Sequence, residues 1–541
     1  MDDKLATEHH QLEAIPKLAA NDLAEAQRVE IAAHNMSTWQ TIQSHKRIIA
    51  ISIALTLAPL MDGFDTIAMN LCLTMPAFDR VFGVHVGSTY VIEATWQSAW
   101  AAMYQIGICF GALSSAQVSD RLGRRAAMIA GCIISAAGVA VLFAADTKAM
   151  FLIGKIINGY SIGILIATCQ VYNSEIVPLK LRGPILALFT FSQVLGQLIS
   201  VSIVHGRVGI QTPMAYRLPF ALEWIWPGLL AIIAILIPES PWHLLRAGGE
   251  AKAAAALKRL HGSDYDTAPE IALMQKVTEE ERLSRSSSAK AGFVDCFKGS
   301  NRRRTLIACF IVVVQQAAGV VFYSNSSYFL LQAGMSADKS IMATEIGIAL
   351  ALPANAISWF TMSRLGRRTL LIFSLSTVTC IMLAVGIAGS VPRTTASLWT
   401  LGGLLIVSPF FYNLGVGSVY PVLAAEVPST ELRAQTSSIA FFAFAFGSFS
   451  FNLFFPYMYN TTAGNLGGKC GYFFAGLSII CIFVVYFFVP ETFGRTYAEL
   501  DEIFEEGISA RQSSTYVCKG AITHSAAGPE KGNVTLAEEA V

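Results

Sequence analysis

Charge is scarce in this 541-residue chain: 14% of its residues are Asp, Glu, Lys or Arg, against 54% hydrophobic. With a clearly positive mean hydropathy, that leaves too little polar material to coat a soluble globule of this length, and the chain belongs in a bilayer. Its net charge is +1, so no nucleic-acid partner is expected. The ten cysteines are scattered, mostly singly inside apolar runs, with neither the paired spacing of a metal site nor a disulfide framework. They read as small buried hydrophobes. No apolar core precedes Lys46, so no cleavable leader is expected and the first apolar segment must direct insertion. A nucleophile with a base, a phosphate-binding loop and a metal-ligand spacing are also missing, so neither an enzyme nor a cofactor is expected.

What the chain does have is apolar runs of membrane-crossing length, roughly 20 residues each. Twelve are expected, at 48–73, 95–116, 127–145, 150–174, 184–205, 218–237, 305–330, 341–361, 369–390, 398–422, 436–456 and 471–489. The expectation is therefore an all-α membrane protein of two six-helix halves, 47–237 and 305–489. A linker with short helices, 238–304, joins them, between tails at 1–46 and 490–541. Within the linker, Glu250 to Leu260 is Ala/Lys/Leu-rich and predicts a surface helix, and Ser284 to Ser288 predicts a flexible joint.

The halves are legible because their punctuation repeats. Ser119-Asp120-Arg121-Leu122-Gly123-Arg124-Arg125 is matched by Ser363-Arg364-Leu365-Gly366-Arg367-Arg368, 243 residues later from Gly123 to Gly366. Glu175 and Arg182 are matched by Glu426 and Arg433, 251 residues later, and Pro238 by Pro490, 252 later. A near-constant offset is an internal duplication. Lys and Arg gather in the basic turns and in the linker, which ends in Arg302-Arg303-Arg304, so these and both termini are expected on the cytoplasmic side. A gate is the function these turns suggest, with Asp120, Arg124, Glu175, Arg182, Arg367, Glu426 and Arg433 forming charge pairs that break as the bundle opens. The simpler reading, that the arginines only set topology, leaves the glutamate in both halves unexplained.

The two turns, together with Pro238-Glu239-Ser240-Pro241 and Pro490-Glu491-Thr492-Phe493-Gly494-Arg495-Thr496, resemble the signatures of the sugar porter family of the major facilitator superfamily. Tyr216 to Pro227, Tyr323 to Phe329 and Gly494 to Asp501 resemble, more narrowly, the fungal maltose and general α-glucoside permeases. The resemblance runs from about Lys46 to Glu506. It departs at Ser363, where the family usually has Asp, and at Trp242-His243, where it usually has Arg-Trp. It implies alternating access, with two halves rocking about a site near the bilayer midplane.

Charged residues inside spans are costly and are functional candidates by default. The resemblance implies that Asp65 carries a proton, that Lys155 stands where the family usually has Arg and pairs with the empty carboxylate, and that Glu223 tunes both. Moving a cation changes the proton affinity of a buried carboxylate. Alternatives are a static Asp65–Lys155 ion pair, Asp62 as the acid, and Glu223 at the outer interface beside Arg217. For the sugar, planar amides and aromatic faces are the chemistry required. The resemblance implies Gln315 and Gln316, then Gln197 and Asn452, then Asn325 and Tyr420. Val321 stands where many members have Asn.

The expected function is transmembrane sugar transport at the plasma membrane, as a monomer in the lipid bilayer, with a proton as the coupling ion and a small-molecule sugar, such as the α-glucoside maltose, as substrate. The alternatives are a proton-independent facilitator of hexose or polyol and a transporter-like sugar sensor. Asn460-Thr461-Thr462 also matches a glycosylation acceptor on the expected outer side.

Overall fold

The computed structural model describes residues 38–516, apart from 87–88, 264, 288–292, 393, 430–431, 461–462, 494, 496 and 514–515. The expected tails therefore lie largely outside the described residues. Long helices cover Lys46–Cys72, Ala94–Leu122, Arg124–Ala144, Lys148–Ile176, Leu179–His205 and Met214–Leu236, then Gly299–Ser324, Ala337–Leu365, Arg367–Ser390, Thr395–Glu426, Arg433–Tyr459 and Cys470–Phe488. They are called the first to twelfth spans. Eleven stretches among the described residues are long and apolar enough to cross a membrane. The exception is the second span, which is 29 residues long but opens on Ala-Thr-Trp-Gln-Ser and ends near Ser-Ala-Gln-Val-Ser-Asp. It packs between the fourth and eleventh spans with Gln97, Ser98 and Ser115 turned inward.

Small residues decide how closely the first half packs. A Cβ at Gly111 would lie 2.0 Å from the Tyr160 carbonyl oxygen, one at Gly163 2.2 Å from that of Ile108, and one at Gly159 2.4 Å from that of Tyr104. The second and fourth spans thus meet backbone to backbone, as small residues four apart allow in a membrane. Gly63 and Gly196 do the same for the first and fifth spans, at 1.9 Å from the Gln193 oxygen and 2.1 Å from the Leu60 oxygen. Side chains of all four spans are drawn to one point.

Several helices break where polar residues sit. The sixth span parts between Leu222 and Ile225, at Glu223. The seventh parts at Gly319, whose φ is +87°, and again at Asn325 before a last helix, Ser326–Ala333. A broken helix frees backbone groups that are tolerated only where a cavity or a protein partner receives them.

In the linker, helices run over Pro241–Arg246, Glu250–His261 and Ala268–Ser287. The last carries helix through Ser284 to Ser287, where a flexible joint was expected. The helix-forming run upstream makes each further residue cheap to add. The loop after the first span adds a short two-stranded antiparallel ribbon, Val84–Val86 with Thr89–Val91, which follows from its β-branched and aromatic residues and leaves the fold all-α.

Candidate functional site

At the meeting point of the first, second, fourth and fifth spans lies a dry cluster of ionisable groups. Lys155 Nζ donates to Asp65 Oδ2 at 2.7 Å, and both side chains are 1% exposed. The ammonium also lies 4.6 Å from the centre of the Tyr104 ring. Glu223 is buried beside Asp65 and within the electrostatic range of Lys155, and no donor side chain holds its carboxyl oxygens. Asp65 Oδ1 likewise meets no donor. Arg217 pairs instead with Asp146 at 2.5 Å, so Glu223 turns inward and is not held at the outer interface. Asp62 takes a different set of partners: Tyr104 Oη donates to Oδ1 at 2.9 Å and Gln193 Nε2 to Oδ2 at 2.7 Å.

The second half answers with neutral groups. Gln315 is buried in the seventh span, donates to the Val312 carbonyl at 3.2 Å and accepts from Tyr412 Oη at 3.1 Å. Gln316 is buried with its Oε1 bonded to no protein donor, and Tyr323 is buried against Tyr412, their rings 5.1 Å apart. Tyr420 lies beside Gln315 and within electrostatic range of Asp62 across the interface between halves. Asn325 donates to Val321 O at 2.8 Å and Asn452 to Ser448 O at 2.9 Å. Both line a cleft with Asn70 and Gln97 of the first half. Its non-atom space is about 260 Å³, below the ~300 Å³ at the small end of ligand pockets, so the halves stand close together here. Gln197 is half-buried in the fifth span and does not line this cleft.

One end of the cleft is sealed. Gln97 Nε2 donates to Tyr328 Oη at 3.0 Å, and Tyr459 Oη donates to Gln97 Oε1 at 2.9 Å. Asn460 is fully buried, with Nδ2 bonded to the Ile92 carbonyl at 3.0 Å, so in this state it cannot accept a glycan. Thr461 and Thr462 lie outside the described residues.

At the opposite end the two basic turns form matching knots. Gly123 and Gly366 hold φ values of +91° and +81°, which only glycine adopts without strain. Glu239 then caps the third span, accepting from Arg124 N at 2.8 Å and Arg125 N at 3.2 Å. Glu491 caps the ninth in the same way, accepting from Arg367 N at 2.9 Å and Arg368 N at 3.2 Å. A carboxylate at a helix N-terminus satisfies free N–H groups and the dipole together. Arg124 makes a two-armed contact with Glu175, at 2.8 and 3.2 Å, and reaches Asp120 at 3.3 Å and His243 at 3.0 Å. Arg367 reaches Glu426 at 3.1 Å, and Thr492 donates to the other oxygen of Glu426 at 2.6 Å. These pairs each close within one half. Arg433 opens the eleventh span, and the side chain of Arg182 lies outside the described residues.

Sequence reasoning did not single out Tyr104, Gln193, Glu239, Glu491, Tyr323 or Tyr412 as site residues. Gln193 was within reach, one helical turn before Gln197. Glu239 and Glu491 were visible in the repeated Pro-Glu pairs, but nothing local said that they cap another helix.

The sequence model of the family described as "Sugar (and other) transporter" matches residues 50–504. The general alpha-glucoside permease of Saccharomyces cerevisiae is 31% identical over 525 residues, covering 95% of this chain and 84% of that protein. The MFS transporter fmqE of Aspergillus fumigatus is 30% identical over 493 residues, covering 89% of this chain and 91% of that one. Among solved structures, the partially occluded inward open conformation of the xylose transporter XylE from E. coli matches with a TM-score of 0.67 at 19% identity, over 83% of this chain and 100% of that chain. The proton:xylose symporter XylE bound to 6-bromo-6-deoxy-D-glucose matches with a TM-score of 0.65 at 22% identity, over 85% and 100%. These structures show the fold, which is that of the major facilitator superfamily.

Proposed function

The chain belongs to the sugar transporter family, and from that premise we propose that it is a sugar:proton symporter working by alternating access. Its substrate is an α-glucoside such as maltose, and it sits in the plasma membrane with both termini in the cytoplasm. The observation that carries this reading is the Asp65–Lys155 pair with the Glu223 carboxyl buried beside it. Of the three carboxylates buried here, Asp62 is held by two donors, while Asp65 and Glu223 share the single ammonium of Lys155, which leaves one negative charge of that pair without a cation, a costly state away from water. A single proton removes that charge and lets one carboxyl donate to the other. Lys155 then holds the remaining carboxylate of the pair, and the first half rocks with one fewer uncompensated charge at the apolar midplane.

Sugar binding falls to the other half. Gln316, Gln315, Tyr323 and Tyr412 gather amide and phenol groups in the buried part of this half, which is the donor and acceptor set a hydroxyl-rich ligand requires. Asn325, Asn452, Asn70 and Gln97 extend the polar surface toward the sealed end, which gives room for a second sugar ring when that end opens. The relatives named for α-glucosides and for maltose support the substrate class.

The test is addition of maltose, trehalose, sucrose, glucose or xylose to energy-depleted, transport-null yeast expressing the protein, with external pH recorded. Maltose should alkalinise the medium, and Asp65→Asn should abolish the alkalinisation while counterflow of labelled maltose persists. Sugar uptake with no pH change, or proton uptake that survives Asp65→Asn, would refute the coupling assignment.

A further inference from the structure

The seam between the fifth and eighth spans, one from each half, is neutral along most of its described length. Asn355 Nδ2 meets Thr190 Oγ1 at 3.4 Å, and the rings of Phe191 and Trp359 lie 6.2 Å apart. Charge appears at the end away from the basic turns. There His205, the last residue of the fifth-span helix, meets two carboxylates of the eighth span. Its Nδ1 lies 2.6 Å from Glu345 Oε2 and its Nε2 3.4 Å from Asp338 Oδ1. Ser202 Oγ donates to the other oxygen of Glu345 at 2.7 Å.

The chemistry of this ring is constrained by its surroundings. A neutral imidazole has one N–H and one lone pair, so it can donate to one carboxylate only and sets its lone pair against the other. An imidazolium donates through both nitrogens. Of the other charges nearby, Lys339 lies 5.6 Å from the centre of the Trp399 ring, and Arg207 follows His205 two residues further along the chain. His205 is 28% exposed, Glu345 27% and Asp338 68%, so solvent protons reach all three.

We propose that His205, Glu345 and Asp338 form a second proton-binding site, placed between the halves at the sealed end, whose occupation ties the two halves together there. The proton is the ligand, and the site differs from the Asp65 cluster in bridging the halves rather than lying within one. Protonation completes the clamp and favours the state in which this end is closed; loss of the proton puts a lone pair against Asp338 or Glu345 and favours opening. The inference rests on the rocking of two halves that the family implies, and on neither the identity of the sugar nor its coupling to protons.

The experiment uses the full-length protein in nanodiscs, with native cysteines replaced and spin labels at Gly209→Cys and Ser336→Cys, in an Asp65→Asn background that silences the buried acid. Histidine ordinarily changes charge between about pH 5 and 8, so distances are measured by pulsed electron resonance at about pH 8 and pH 5.5. Acidification is expected to raise the ratio of short to long distances at least about fivefold, the lower end of ordinary coupling between sites. His205→Gln, which keeps a donor and an acceptor but cannot titrate, should make the distribution independent of pH, and Glu345→Gln should reduce the shift. A pH shift of full size in His205→Gln, or none with His205 in place, overturns the proposal. Failure of maltose-driven proton uptake would remove the symport reading and leave this distance measurement standing.

Discussion

The two halves share one scaffold and bury different chemistry in it. The first half encloses Asp62, Asp65, Lys155 and Glu223, all under 10% exposed. The second encloses Gln315, Gln316, Tyr323 and Tyr412 and, among the described residues and apart from Arg304 at the basic-turn end paired with Asp501, keeps its interior neutral. Amides and phenols donate and accept without carrying charge, so a half built from them holds its shape and affinity while a proton comes and goes elsewhere. A half built from ions changes its energy sharply with each proton. The knots repeat the contrast. Arg124 is 3% exposed and has two carboxylates and a histidine around it, whereas Arg367 is 20% exposed with one carboxylate and the ring of Phe493 at 5.1 Å.

Replacing Lys155 by Ala should be the most damaging single change, because it strands Asp65 and Glu223 together without a cation. A loss of about 3–5 kcal/mol is expected, read as a fall in thermal stability of the purified protein. The counterpart, Gln315→Leu, removes only neutral partners, chiefly the acceptor of the Tyr412 hydroxyl, and should cost about 1–3 kcal/mol. Equal losses would break the comparison between an ionic and a neutral half.

Gln316→Ala sharpens it from the other side. Its Oε1 is bonded to no protein donor, so stability should hardly change. The apparent affinity for maltose in counterflow should weaken about tenfold, which is about 1.4 kcal/mol. A large loss of stability with affinity intact would make the residue structural.

Next come the knots. Arg124→Lys loses a two-armed carboxylate contact that an ammonium cannot reproduce and should cost about 2 kcal/mol, against about 1 for Arg367→Lys. The reverse order in thermal melts would show that the second half relies on its knot as much as the first.

The smallest effect concerns the linker. His261 stacks on Tyr265 at 4.2 Å and meets the edge of the His45 ring at 5.3 Å. Burial first, and His45 second, lower its pKa from 6.5 to about 4. The unfolded linker therefore binds the extra proton between those values and the docked one does not. Docking is fully stable above about pH 6.5 and weakens as pH falls toward 4. Hydrogen exchange of the Glu250–His261 helix should rise over that window, and His261→Phe should flatten the dependence.

Much of this protein is legible in its residues read singly or in short windows. Twelve spans, the doubled basic turns, the linker helix after Glu250 and the presence of Asp65, Lys155 and Gln315 inside spans all follow from local composition or from motifs. A span needs only about 20 consecutive apolar residues, and a basic turn only a glycine able to reach positive φ. Partnership is another matter. That Asp62 is held by Tyr104 and Gln193, that Glu239 caps the third span, and that His205 meets Glu345 depend on how closely Gly63, Gly111, Gly163 and Gly196 let separate helices approach. The chain's own composition determined what must be buried in the membrane; only the crossing of helices far apart in sequence decided which buried group faces which, because a hydrogen bond needs its atoms within about 3 Å and nothing local controls that distance.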